Sequence, residues 1–486
     1  MVTMGTAPRS CSQPCYVAGG DVRLMKSATT ATETPKDIPG ALAFPPWLSK
    51  TVVGCFLMAS FTATWGGIYL GGIQVADIFL FLTFIVTVAM VVFGNLRFAV
   101  PWWLWAPAVA IFVCFTALIY SPIPAAYFGP RYEHVLYSPF SGWPATAPPS
   151  GVKSAFWIVA LLVVPIAAIA CTALDSRVPK WIVASFLAGV AVSGLIALTD
   201  LTNLTHVSRN LTLATLRTGY QFDSHRETGL TDHPNTLGLA CTLAVPFAVH
   251  FISQSRRRWL PCIALVLLCG GVVASGSRGA QIAFPAAVLV AILVSPHKKK
   301  VVGWLAATLT AAVLGGLTAL TQLAPRVLDK LFRFDESRGS LMSNDERTFL
   351  HAQAWNDFKH YPIFGIGIKH IGEAHNIYLQ MMSAGGSVLV AGMLIYWFGT
   401  LRSCWLAKRS GEALGAYLML SVIASLVIGA LENQLTDRFL YYTIGCAAAL
   451  AATYRVETLA SHPPDRQTPA DHVTAAVGPA RFWVAD

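Results

Sequence analysis

Gly365-Ile-Gly-Ile-Lys-His-Ile-Gly-Glu-Ala-His-Asn-Ile-Tyr-Leu-Gln380 joins two unlike parts of the chain. Before it lies a polar stretch carrying Arg326, Arg333, Arg338 and Arg347, and after it the segment Ile377 to Leu401 is apolar. That second segment is long enough to cross a bilayer, which takes about 20 helical residues. His375 and Asn376 therefore stand where a membrane helix begins. The first backbone N–H groups of a helix have no partner within it, and its dipole is positive there. Such a place attracts phosphate and disfavours a protonated imidazole. A neutral histidine beside a phosphate site is what base-assisted transfer from a phosphorylated donor requires.

The rest of the chain extends this reading. Of its 486 residues, 55% are hydrophobic and 12% charged, with a mean hydropathy of +0.57. A soluble domain carries about 25% charged residues. Twelve apolar spans follow one another at roughly 50–72, 73–94, 100–120, 153–174, 180–202, 235–253, 259–276, 279–296, 301–323, 376–401, 412–431 and 437–455. The expected fold is an all-α polytopic integral membrane protein of about 12 transmembrane helices. Gly315-Gly316 and Gly385-Gly386 suit close helix packing in lipid. The first 45 residues are polar and hold no apolar core of a cleaved signal peptide. Of ten cysteines, seven fall inside apolar segments, two (Cys11, Cys15) in the N-terminal tail, and Cys404 in a short basic loop. They read as small core residues rather than a disulfide framework or metal site.

Charge distribution orients the chain. With both ends inside, the inner short loops hold Arg97, Arg177, Lys180, Arg256 to Arg258, Lys298 to Lys300, Arg402, Lys408 and Arg409, twelve basic residues in all. The outer short loops hold two, Arg278 and Arg438. This asymmetry places the ends in the cytoplasm. The net charge of +10 follows from membrane orientation, and no basic run suggests nucleic acid. The expected organisation is a cytoplasmic tail at 1–48, a transmembrane catalytic domain at 49–455 and a cytoplasmic tail at 456–486. Three long loops, about 121–152, 203–234 and 324–375, face outward. The first is rich in Pro, Tyr and Trp, as an interfacial lid or carbohydrate-facing surface would be. In the third, Ser343-Asn-Asp-Glu offers helix-capping chemistry. Leu350, Ala354 and Phe358, with Trp355 beside them, form an apolar stripe at helical spacing, and Tyr361-Pro362 ends the helix. An amphipathic helix over the outer end of the bundle, between the ninth and tenth spans, is expected.

Each candidate residue has a functional and a structural reading. Arg278 lies in Ala274-Ser-Gly-Ser-Arg-Gly-Ala-Gln281, a tight outer connection whose small neighbours let a polar headgroup approach. The alternative is an arginine snorkelling to the interface. Arg347, after Asp345 and Glu346, is either an anion ligand or an exposed salt-bridged residue of little energetic weight. Arg226, with His225 and Glu227, precedes Gly229 and His233-Pro-Asn235, so a second polar cluster reaches the outer mouth. Pro234-Asn235 also suits a helix cap, and His233 a structural hydrogen bond. His375 is either the base or a side-chain cap of its helix, and His370 in the loop is its control. The outer carboxylates Asp223, Asp232, Asp335, Glu336 and Glu373 form no ligand-spaced set, so neither metal nor cofactor is expected.

Ser277-Arg278-Gly-Ala, the Arg347 to Trp355 helix, His360-Tyr-Pro-Ile-Phe-Gly-Ile-Gly367 and His375-Asn-Ile-Tyr-Leu-Gln380 together resemble the O-antigen ligase/polymerase superfamily. The resemblance covers residues 220–400 by motif and the remainder by span count. It implies a C-type, metal-independent, inverting glycosyltransferase on the periplasmic face of a Gram-negative inner membrane. The implied donor is an undecaprenyl-pyrophosphate-linked glycan. The implied acceptor is lipid A–core in a ligase, a second lipid-linked unit in a polymerase, or a protein hydroxyl in an oligosaccharyltransferase. On this reading His375 is catalytic. Arg278, Arg347 and Arg226 bind pyrophosphate, and Asn376, Tyr378, His233 and Asn235 support them. A lipid-linked oligosaccharide transporter is the rival class. It would carry polar residues near mid-membrane, whereas the charges here gather at the outer face.

Overall fold

The computed structural model describes residues 45–70, 73–93, 96–124, 127, 154–155, 157–208, 210, 226–311, 338–368, 374–432, 435 and 437–461. The expectations placed on residues 1–44 and 462–486, Gly315-Gly316, Asp223, His225, Arg326, Arg333, Asp335, Glu336, His370 and Glu373 fall outside those residues. The described residues belong to one compact unit, Leu42–Asp486.

A backbone in lipid must satisfy its own hydrogen bonds, and apolar segments do so as helices. The first group is α1 (Pro46–Phe61), α2 (Val75–Val92), α3 (Ala106–Tyr120), α4 (Val164–Leu174) and α5 (Val178–Leu201). The second is α6 (Pro234–Gln254), α7 (Trp259–Ser275) and α8 (Arg278–Val294), followed by α9 at 298–311. The last is α10 (Arg338–His360), α11 (Ile377–Arg409), α12 (Leu414–Gly429) and α13 (Phe439–Ser461). A helix lies on every one of the twelve apolar spans. Among the described residues, five helices are long and apolar enough to cross a membrane, and five shorter apolar helices accompany them. Strand structure among the described residues is confined to one hairpin, Tyr69–Leu70 against Ile73–Gln74. The protein is an all-α polytopic membrane protein.

At its centre is α6, apolar on all sides and packed against α5, α7, α8 and α12. Burial reaches 94% of its apolar window. Its first residue follows His233, so the core helix carries that histidine at its mouth.

Two boundaries differ from the sequence reading. The first span was drawn to residue 72, but α1 stops at Phe61. There the chain turns, the Trp65 indole donates to the Gly189 carbonyl at 3.2 Å, and the Gly67 amide donates to that of Leu230 at 3.0 Å. In the other direction α11 runs on to Arg409, so Cys404 is buried inside a helix rather than placed in a loop.

The loop helix α10 exists and packs on α11. It begins at Arg338, so Ser343 is an interior residue and not its cap. Leu350 and Ala354 are buried as expected, but Trp355 is exposed, and the next inward position belongs to Asp357. The buried arc follows the 3.6-residue period, with Trp355 just off it.

Gly385-Gly386 does more than let helices approach. The backbone of α11 is non-helical at Gly386, with φ 58° and ψ −154°, a region open to glycine and costly to other residues. The break is filled by the Pro362–Gly367 turn. Ser387 and Val388 amides donate to the Pro362 and Ile363 carbonyls, and Ile366 and Gly367 amides donate to Ser383 and Ala384 carbonyls. Non-helical backbone at membrane depth persists only where protein supplies such partners. Thus the segment after α10 is threaded into the helix that begins beside His375.

Candidate active site

Five pieces of chain meet at the N-terminal mouth of α6, the segment 226–235, the start of α8, the middle of α10, the start of α11, and the turn after α12.

At the start of α11 each residue of His375-Asn-Ile-Tyr has a separate task. Asn376 is the N-cap, and its Oδ1 accepts from the Tyr378 and Leu379 amides at 3.0 and 3.1 Å. Its Nδ2 donates to the Ala430 carbonyl at 3.0 Å. The Tyr378 hydroxyl donates to the Leu426 carbonyl at 2.6 Å. Both side chains bind this helix start to the end of α12. The capping task that His375 shared as an alternative therefore belongs to Asn376. The same bonds occupy two of the amides that a phosphate at this helix mouth would use. His375 precedes the cap with φ 46°, the left-handed region in which non-glycine residues are uncommon and often functional.

The partner of His375 is Glu432, in the turn between α12 and α13. Its Oε2 lies 3.9 Å from His375 Nδ1, and its Oε1 lies 3.5 Å from Arg347 Nη2. One carboxylate thus stands between the candidate base and one candidate pyrophosphate ligand. Burial acts to raise the Glu432 carboxyl, but the approach of His375 and the Arg347 guanidinium outweigh it, and the group sits below the ordinary carboxylate range. Among the described residues nothing pairs with the buried Nε of Arg347.

His233 is the N-cap of α6, its Nδ1 accepting from the Asn235 amide at 3.1 Å. That bond leaves the proton on Nε2, so the ring can donate from that nitrogen. Burial first, and then the Arg226 cation, push its pKa down to about 3. Glu432 opposes this shift, while His375 and Arg347 add to it. A neutral imidazole thus stands at the mouth of α6. Arg226 crosses the end of α7, where its Nε donates to the Ser275 carbonyl at 2.9 Å. Its Nη2 donates to Asn235 Oδ1. Asn235 thereby holds Arg226.

Arg278 is exposed as the first residue of α8, after a two-residue connection from α7. No acidic residue occupies that first turn. A cation at the positive end of a helix is unfavourable by a few tenths to about 1 kcal/mol. A Cβ built on the neighbouring Gly279 would lie 3.6 Å from Leu431 Cδ1, so α8 starts against the turn that carries Glu432.

The structure therefore gathers Arg226, His233, Asn235, Arg347, His375, Asn376 and Tyr378 at one mouth, with Arg278 on the adjoining turn. Glu432 is the residue that sequence reading missed, because only the carboxylates of the long loops were weighed. Its signal was Leu431-Glu-Asn-Gln-Leu-Thr-Asp-Arg438, a short polar turn whose span parity puts it on the face of Arg278. Below the break in α11, an apolar cavity of about 290 Å³ is lined by Cys114, Phe115, Leu118, Ile366, Gly385 and Leu389, among others.

Residues 263–396 match the family model described as O-antigen ligase, which supports membership of the O-antigen ligase/polymerase superfamily. The match contains Arg278, Arg347, His375, Asn376 and Tyr378; Arg226, His233, Asn235 and Glu432 lie outside it. No curated protein matches the chain.

Proposed function

From the match of residues 263–396 to the O-antigen ligase family model and the residues gathered at the mouth of α6, we propose that this protein is an O-antigen ligase. It transfers a glycan from undecaprenyl pyrophosphate to lipid A–core on the periplasmic face of the inner membrane. The observation that carries the reading is the shared carboxylate. Glu432 stands beside Nδ1 of His375, which leaves Nε2 as the nitrogen available to an acceptor hydroxyl.

In the proposed reaction the acceptor hydroxyl attacks the anomeric carbon from the face opposite the pyrophosphate. Its proton passes to His375 Nε2 as the new C–O bond forms. The bond from the anomeric carbon to pyrophosphate oxygen breaks, and the electron pair leaves with undecaprenyl pyrophosphate. Arg278 and Arg347 take up the charge on that leaving group through forked contacts, with Arg226 assisting. The 3.9 Å separation of His375 and Glu432 is long for a hydrogen bond, as catalytic contacts commonly are before substrate binds. No step calls on a metal ion. The apolar cavity beside the α11 break suits the lipid portion of the donor.

Transfer by the purified full-length chain, from lipid-linked glycan to lipid A–core without any transmembrane gradient, tests the reading. A transporter would give no product. In a deletion strain, loss of every capped lipopolysaccharide band marks a ligase, and capping by a single repeat marks a polymerase.

A further inference from the structure

Asp357 is a charged residue placed among the buried positions of α10, 3% exposed. It faces inward one turn after Ala354, where the arc leads to α11. Its Oδ1 accepts from the Tyr127 hydroxyl at 2.8 Å, and its Oδ2 from the Ser383 hydroxyl at 3.0 Å. Burying a carboxylate is costly unless it is hydrogen-bonded, so these contacts are not incidental to packing. They join three separate parts of the chain, namely the loop after α3, α10, and the outer half of α11.

Ser383 is itself a junction. While its hydroxyl donates to Asp357, its carbonyl accepts from the Ile366 amide at 2.8 Å. It thus holds both α10 and the turn that fills the α11 break. Tyr127 is fixed in turn by edge-on contact with Tyr361, ring centres 5.0 Å apart. Asp357 lies ten residues beyond Arg347, about 15 Å along the helix, and Ser383 lies eight residues beyond His375. The helices bearing Arg347 and His375 are therefore tied twice, at Glu432 near the mouth and at Asp357 deeper in the bundle.

We propose that Asp357 is a positioning residue that sets where Arg347 stands relative to His375. The inference rests on the reading of Arg347 as a pyrophosphate ligand. Without the lower tie, the Asp357 carboxylate must find water and α10 loses its fixed seat on α11. Arg347 then reaches the leaving group from a distribution of positions, while the acceptor side, built on His375 and Glu432, is less affected.

The test uses the purified full-length chain with Asp357→Ala, and with Ser383→Ala and Tyr127→Phe as milder variants that each remove one hydroxyl. Asp357→Ala should lower kcat/KM for the lipid-linked donor by about tenfold or more, in the range of a coupled pair. The KM for acceptor should be unchanged. In an Arg347→Ala background the Asp357 substitution should add little, since its effect passes through Arg347. Amide exchange should also quicken across Arg338–His360 in Asp357→Ala, with the inner half of α11 still protected. Multiplying losses in the double variant, or exchange across α10 unchanged in all three variants, would overturn the proposal. The exchange measurement stands apart from catalysis. If Arg347→Ala were fully active while Asp357→Ala still loosened α10, the pyrophosphate reading of Arg347 would be the part that failed.

Discussion

His375 Nδ1 and Glu432 Oε2 face each other across 3.9 Å where α11 begins and α12 ends. The two residues come from helix ends that Asn376 and Tyr378 bind together by hydrogen bonds to the Ala430 and Leu426 carbonyls. Each member of the pair therefore stands within two residues of an anchored helix end.

Glu432 should matter to rate through His375. Glu432→Gln keeps the shape but loses the charge that favours a proton on Nδ1 and stabilises the imidazolium formed during transfer. We expect a fall in kcat of roughly ten- to a hundredfold, less than the 10²- to 10⁴-fold range of losing a general base outright. An unchanged kcat in Glu432→Gln would remove the carboxylate from the mechanism.

At the arginines the test is geometry against charge. Lysine supplies a cation but lacks the planar fork. Arg278→Lys and Arg347→Lys should each lower transfer by about 30- to 1,000-fold, the effect of losing one charge-assisted contact in the transition state. Full activity in Arg278→Lys would mark that residue as an interfacial anchor.

His233 makes a prediction about stability and pH. Its folded pKa is depressed to about 3 from an unfolded value near 6.5. Between those values the unfolded chain holds the proton and the folded chain does not, so acidification from pH 6.5 toward 3 favours unfolding. His233→Gln cannot take up that proton. Its melting temperature in detergent should fall less steeply over this window than that of the parent protein. Parallel slopes would show that His233 does not titrate as its surroundings dictate.

Much of this was legible in the sequence, and the parts that were not share a cause. Apolar length alone located a helix on each span, because lipid leaves a backbone few alternatives. His375-Asn-Ile-Tyr at a helix mouth was readable because caps obey local rules, although the cap proved to be Asn376. Glu432 and Asp357 were not readable in the same way. Each sits in a short turn or on an apolar stripe, and each acquires its role from residues far along the chain, Arg347 and His375 for one, Tyr127 and Ser383 for the other. The break at Gly386 was hidden for a similar reason, since its carbonyl and amide partners come from the Pro362–Gly367 turn.

Metal removal bears on the leaving group. If arginines carry the pyrophosphate charge, transfer by the purified protein should survive EDTA. Activity lost to chelation and restored by Mg²⁺ or Mn²⁺ would replace the arginine account with a metal-assisted one.

The most direct measurement is the pH–rate profile of glycan transfer in His375 variants of the folded, membrane-inserted protein. His375→Ala should abolish transfer at undiminished expression, and any residual rate in His375→Gln should lack the acidic limb seen in the parent protein. Near-normal transfer by His375→Gln with an unchanged profile would contradict the assignment of His375 as the base.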